Sequence, residues 1–313
     1  MRVLIADELG FCFGVRDALT LARAVPDPAV VTIHGELVHN EVVLAELDAS
    51  GFARSPERGR GIPATEQVLI TAHGISERER ARLVAAGKTL LDTTCPLVRR
   101  AHAQAQSLEQ QGCFVVVLGK QGHVEVTGIV EDLARYAIVG GSADIRTWAD
   151  PAIGIVCQTT VPIRQARELA RQIRIQNPHA DVRFVDTVCE PTKRRIAAVE
   201  TLVPRVDAFV VIGGTRSNNT QQLVALARRL GARTLHVQGV EDLDSDWFRG
   251  CATVGISAGT STLDATITAV RLALEAMPVV PSSEEPCARQ SPVEVSPAEV
   301  SPAEASPVEV KKR

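Results

Sequence analysis

No apolar run in the chain approaches the roughly 18 residues that a membrane-spanning helix needs. The N-terminus, Met1-Arg-Val-Leu-Ile-Ala-Asp7, closes a short apolar run with an acid, as a first strand does, and does not read as a secretory signal. One-sided charge is also missing: the formal net charge is −3, so nothing asks for a nucleic-acid partner or an anionic membrane, and an anionic ligand has to be held by a local site. The seven cysteines, Cys12, Cys95, Cys113, Cys157, Cys189, Cys251 and Cys287, are odd in number and scattered, which argues against a disulfide scaffold. The paired Cys-x-x-Cys spacing of zinc sites is absent, as is the phosphate-binding Gly-x-x-x-x-Gly-Lys-Ser/Thr loop, and no convincing dinucleotide fingerprint occurs. A soluble, cytoplasmic protein with no nucleic-acid or membrane partner is expected.

What is present is alternation. Short β-branched runs at 3–6, 30–33, 68–71, 89–92, 114–118, 153–156, 182–186, 209–212, 234–237 and 253–256 read as strands. Helical periodicity appears at 15–24, 42–47, 77–86, 98–110, 163–175, 194–202, 221–230 and 263–276. Strands that are mostly apolar, alternating with helices, predict an α/β fold with parallel sheets. From about residue 281 the pattern stops, and a five-residue repeat begins (Ser291-Pro-Val-Glu-Val, Ser296-Pro-Ala-Glu-Val and two more copies). Proline in every copy and little apolar surface predict a disordered tail over 281–313, a spacer more readily than a docking segment.

Three segments share one layout of strand, short polar turn, cysteine and helix. They are Val3-Leu-Ile-Ala-Asp7 leading to Gly10-Phe-Cys12, Leu90-Leu-Asp92-Thr-Thr-Cys95-Pro96, and Val182-Arg-Phe-Val-Asp186-Thr-Val-Cys189-Glu-Pro191. Each cysteine opens a domain-sized unit. A thiol at a helix N-terminus sits in the positive end of the helix dipole, which favours the metal-ligating thiolate. If the three units pack about a pseudo-threefold axis, three thiolates converge, a set suited to a 4Fe–4S cluster with one iron free of protein ligands. Zinc is the alternative metal, and three cysteines that never meet is the plain structural one.

The other strand ends lead into polar, glycine-rich loops: His39-Asn40, Ala72-His73-Gly74, Gly119-Lys-Gln-Gly122-His123-Val-Glu125, Gln158-Thr159-Thr160, Gly213-Gly-Thr-Arg-Ser217-Asn218-Asn219, and Ser257-Ala-Gly259-Thr-Ser261. In parallel α/β units ligands bind beyond the carboxyl ends of strands, and small residues at helix starts bring backbone N–H groups to an anion. The set reads as a phosphate or diphosphate cradle, although Ser217, Asn219 and Ser261 also suit helix capping. Glu125 reads equally as a proton donor partnered by Thr159 and His123 and as a solvent-exposed loop acid. His34, His102, His179 and His236 read as structural or surface residues.

The motifs Gly10-Phe-Cys12-x-Gly14-Val15, Val38-His-Asn40, Ala72-His-Gly74, Asp92-x-Thr-Cys-Pro-Leu-Val98, Gly122-His-x-Glu-Val126, Gln158-Thr-Thr160, Ser217-x-Asn219 and Ala258-Gly-x-Ser261 run in one order from about residue 1 to 275. Together they make the chain resemble the 4-hydroxy-3-methylbut-2-enyl diphosphate reductases of the methylerythritol phosphate route. The resemblance implies three small α/β lobes about a central site: 13–95, 96–188, and 189–278 with 1–12. It implies one 4Fe–4S cluster per chain on Cys12, Cys95 and Cys189, diphosphate binding by His39, His73, His123, Ser217, Asn218, Asn219 and Ser261, and protons from Glu125 aided by Thr159. It also implies a ferredoxin- or flavodoxin-type electron donor. The sequence departs from the family pattern at Val124 (for Pro), Glu190-Pro191-Thr192 (for Ala-Thr), Ile196 (for Gln), Asn218 (for Ser) and Leu263 (for Pro). Two alternatives stay open: a divergent paralogue reducing a related allylic diphosphate, and a non-enzymatic cluster protein sensing iron or redox state.

Overall fold

In a computed structural model, residues 1–280 are described; the Ser-Pro repeats lie outside them. The chain opens with β1 (Arg2–Ile5) and α1 (Phe13–Arg23). Then follow β2 (Val31–Ile33), α2 (Glu41–Ala49), β3 (Ala53–Arg54), β4 (Gln67–Ile70), α3 (Glu77–Ala85) and β5 (Thr89–Asp92). α4 (Pro96–Gln110) leads to β6 (Phe114–Leu118), α5 (Val124–Val130), β7 (Tyr136–Val139), β8 (Ala152–Cys157), α6 (Ile163–Gln176) and β9 (Asp181–Phe184). α7 (Glu190–Leu202) leads to β10 (Ala208–Ile212), α8 (Asn218–Arg229), β11 (Arg233–Val237), β12 (Thr253–Ala258) and α9 (Asp264–Ala276).

The sheets are parallel, as the alternation predicted; there are three of four strands each, in the orders β3-β2-β4-β5, β7-β6-β8-β9 and β1-β12-β10-β11. Read from the far edge, the third order is β11-β10-β12-β1, the same winding as the other two. Its fourth strand is the first strand of the chain: β1 pairs β12 in register Arg2↔Thr253 to Ile5↔Ile256. β1, β5 and β9 are therefore equivalent edge strands, and each is followed by one of the three cysteines.

The helix after each cysteine covers the next sheet. In α1, Val15, Ala18, Leu19 and Ala22 recur at helical spacing and pack with Val31 and Ile33. Ala101, Ala105 and Leu108 of α4 pack with Val115 and Val117, and Val199 and Leu202 of α7 pack with Phe209 and Val211. Every residue of β10 is buried, because helices cover both faces of its sheet; this is why the strand reads as a continuous apolar run. Each such Leu, Ile or Val contributes about 1.5–3 kcal/mol by leaving water.

Three elements were not anticipated. β3 is two exposed residues, and β7 is an edge strand that starts with the exposed Tyr136. α5 holds a glycine and five β-branched residues in its seven, weak helix formers that made Gly119–Glu125 read as a loop running on. Tertiary packing overrides that preference: Val126, Ile129 and Val130 fill the core beneath β6.

Candidate active site

Cys12, Cys95 and Cys189 are the N-cap residues of α1, α4 and α7, and all three line one cavity of ≈ 90 Å³ at the meeting point of the sheets. Gly14 permits their approach: a Cβ there would lie 2.5 Å from Cys95 Sγ, closer than real side chains come. At Cys95 and Cys189 burial opposes the preference for thiolate expected at a helix N-terminus. Burial pushes Cys189 up to about 11, and it raises Cys95 as well, against backbone N–H bonds from the helix starts that act downward. A multivalent cation between the sulfurs reverses that balance, because it stabilises thiolate directly. The buried Arg195 of α7 adds a fixed positive charge near Cys12 and Cys189, and its guanidinium donates to the Gly10 and Pro191 carbonyls.

The donor set fits a cluster better than a single ion. Among the described residues, the trio of ligand atoms lying within 4.8 Å of one another is His39, Glu57 and His73, and none of the three thiols belongs to such a trio. A single tetrahedral zinc, with Zn–S bonds of about 2.3 Å, draws its donors closer than that. A cube of iron and sulfide holds them farther apart.

Glu125 lies in the same cavity and is 1% exposed, which removes the reading as a solvated loop acid. It sits in the first turn of α5, where Val124 is accommodated without breaking the helix. The backbone N–H of Thr159 donates to one carboxylate oxygen at 2.6 Å and its hydroxyl to the other at 3.0 Å. Burial lifts Glu125 to about 7, against those hydrogen bonds, and so places its proton exchange near neutrality. The predicted partnership with His123 is made through the main chain: the Glu125 N–H donates to His123 Nδ1 at 3.2 Å. Thr159 also ties Glu125 to the third cysteine, since the Cys189 N–H donates to its carbonyl.

Three imidazoles close the other wall. His39 and His73 stack with centroids 4.3 Å apart, and His123 meets both edge-on at 5.4 and 5.6 Å. Burial drives His73 well below its ordinary value, reinforced by the two other rings, and pushes His123 down to about 3. His73 Nδ1 and Asn219 Nδ2 are buried without a protein partner, although buried polar atoms nearly always have one. Both residues line the cavity.

Ser217, Asn218, Asn219 and Ser261 complete the lining. Ser217 does cap α8, accepting from Thr220 N–H, so capping and cavity lining coexist. Asn218, the larger residue at a position where Ser was expected, donates to Thr160 Oγ1 at 2.8 Å and so joins the third sheet's loop to the second's. The Ser261 hydroxyl donates to the His39 carbonyl, and Asn40 Nδ2 to the Ser261 carbonyl. Of the departures, Pro191 lines the cavity, whereas Ile196 is buried in the core and Leu263 is the N-cap of α9. His34 and His102 are packed structural residues, the former on Glu79. His179 and His236 bond to backbone carbonyls.

Sequence reasoning missed Glu36, Glu57, Arg195 and Arg216. Glu36 is 6% exposed and accepts from His39 Nδ1, and Arg216, beside Ser217, pairs with it. The signal was a carboxylate three residues before a site histidine.

Fold and site define an α/β protein of three like parallel sheets around one cavity that carries three thiols, a buried acid and clustered imidazoles. The LytB protein family model matches residues 3–275. The chain is 33% identical to the 4-hydroxy-3-methylbut-2-enyl diphosphate reductase of Aquifex aeolicus (strain VF5), over 84% of this chain and 92% of that one. It is 32% identical to the reductase of the same name from Anaeromyxobacter sp. (strain K), over 88% and 100%. A solved (E)-4-hydroxy-3-methyl-but-2-enyl diphosphate reductase, described as the terminal enzyme of the non-mevalonate pathway, is 32% identical with a TM-score of 0.62, covering 88% of this chain and 99% of its own. The E-1-hydroxy-2-methyl-but-2-enyl-4-diphosphate reductase of Plasmodium falciparum, 21% identical, shares the fold with a TM-score of 0.82 over 93% and 95%. The chain belongs to the LytB family of 4-hydroxy-3-methylbut-2-enyl diphosphate reductases.

Proposed function

We propose that this chain catalyses the reductive dehydroxylation of 4-hydroxy-3-methylbut-2-enyl diphosphate to isopentenyl and dimethylallyl diphosphates. The carbon–oxygen bond of the allylic alcohol breaks, the oxygen leaves as water, and two electrons and two protons are consumed. The observation that carries this reading is the placement of Glu125, buried and titrating near neutrality, in the cavity lined by Cys12, Cys95 and Cys189.

Those three cysteines would hold a 4Fe–4S cluster, one per chain, which when bound supplies electrons and Lewis-acid character. Glu125 donates protons, and Thr159 holds its carboxyl toward the cavity by the two hydrogen bonds described above. His39, His73 and His123, with Ser217, Asn218, Asn219 and Ser261, bind the diphosphate and so fix the distance of the hydroxyl from the acid. An anion placed against the imidazoles raises their proton affinity, so the substrate creates the positive charge that holds it. The same reading divides the chain into lobes 13–95, 96–188 and 189–278 with 1–12, places it in the cytoplasm, and draws electrons from a ferredoxin- or flavodoxin-type protein.

Anaerobic turnover with a strong chemical reductant tests the proposal. The reconstituted protein is expected to contain about four irons and four sulfides and to release both products. Full iron content without consumption of the hydroxylated diphosphate overturns the activity, and a colourless protein with stoichiometric zinc overturns the cofactor.

A further inference from the structure

We propose that Glu36, braced by Arg216, is a positioning residue that fixes the tautomer and ring orientation of His39 for diphosphate binding. The inference rests on the proposed diphosphate role of His39 and extends it to two residues outside the cavity lining.

Glu36 lies on the loop between β2 and α2, three residues before His39, and its Oε2 is 3.0 Å from His39 Nδ1. Its other oxygen accepts from the Arg216 guanidinium, which comes from the loop between β10 and α8. The Glu36 side chain is 7% exposed and that of Arg216 is 54% exposed, so a buried carboxylate is held between an imidazole and a half-solvated cation. The Glu36 N–H is itself anchored, donating to Glu57 Oε2 at 2.7 Å. Burial works to hold the proton on Glu36, and the hydrogen bond from His39 and the charge of Arg216 outweigh it, leaving its carboxyl below the ordinary value.

An ionised carboxylate only accepts hydrogen bonds, so His39 Nδ1 carries a proton. Its Nε2 is then the atom left for the cavity, where it meets the diphosphate. Arg216 has a second effect. It adjoins Ser217, so its bond to Glu36 ties the loop that carries one diphosphate ligand to the loop that carries another. Arg216 also approaches Glu41 at 3.5 Å, and the Ser261 hydroxyl meets the His39 carbonyl at 3.1 Å, so three loops from two sheets close around this imidazole.

The test is a variant series, Glu36→Gln, Arg216→Ala and Arg216→Lys, in cluster-loaded protein. Three readouts apply: KM against kcat for the hydroxylated diphosphate, calorimetric affinity for inorganic diphosphate, and the His39 tautomer from imidazole nitrogen NMR. Glu36→Gln is expected to raise KM and weaken inorganic diphosphate about tenfold, the effect of losing one charge-assisted hydrogen bond. It should leave kcat and iron content near wild type, and release His39 from a single Nδ1–H form. Arg216→Ala should shift KM in the same direction by less, and Arg216→Lys should restore most of it. Unchanged KM and tautomer in Glu36→Gln overturn the proposal, as does a loss of kcat and iron together that Arg216→Lys does not rescue. The tautomer and inorganic diphosphate measurements need no turnover, so this inference and the proposed reaction fail separately. Arg216 is half-exposed, so its variants keep the test open even where Glu36→Gln folds poorly.

Discussion

Glu125 is pulled two ways, and the balance decides what it can do. Burial holds its proton on, and the Thr159 donors pull toward the carboxylate; the outcome is about 7. In the proposed mechanism the protonated form is the donor, so kcat is expected to fall as pH rises through about 7, and Glu125→Gln should abolish that limb along with roughly 10²–10⁴-fold of the rate, with iron content intact. Unchanged turnover in Glu125→Gln removes it from the mechanism. The same shift has a stability sign. The folded-state value lies above the ordinary 4.5, so the stabilising contribution is complete below about 4.5 and lost as pH rises through about 7. Glu125→Gln should therefore flatten the melting temperature across that window. Glu125 was visible in sequence as the one acid of its loop, but its burial was not, since burial is set by packing between α5 and the Thr159 loop. Glu36 was hidden for the same reason: a glutamate beside a glycine reads as solvated until a second loop covers it.

At the scale of elements, the repeated unit is a strand, a turn and a helix with a cysteine at its N-cap. That much was legible, because the apolar runs and the position of each cysteine are local features. Short edge strands and a helix rich in β-branched residues were not, because neighbours stabilise them more than their own residues do. The crossing of two such units at Gly14 yields a sharp expectation. Gly14→Ala should improve the intrinsic helicity of α1 by about 1 kcal/mol, yet it drives a methyl group onto Cys95 Sγ, 2.5 Å away. Iron and sulfide content should drop while far-ultraviolet circular dichroism stays native or strengthens. Full iron content in this variant would show that Cys95 does not need the approach that Gly14 allows.

For the whole molecule, buried imidazoles set the acid limit. Burial lowers His102 to about 4 and His123 to about 3, so the unfolded chain takes up protons near 6.5 that the folded chain refuses. Their contribution is complete above about 6.5 and is lost as pH falls toward 3, so the melting temperature should decline across that range. Diphosphate binding should reverse the sign locally: calorimetry in buffers of different ionisation enthalpy is expected to show proton uptake near pH 6. The three-sheet arrangement was implied by the family resemblance, with the cysteine repeat marking three like units, but the contacts that join the sheets, Arg216 to Glu36 and Asn218 to Thr160, are invisible in any single segment. The pairing of β1 with β12 bears also on biogenesis. Cys12 is synthesised long before the strand that completes its sheet, Thr253–Ala258. A nascent chain thus carries its thiols without the shared chamber that would gather them until translation has passed that strand.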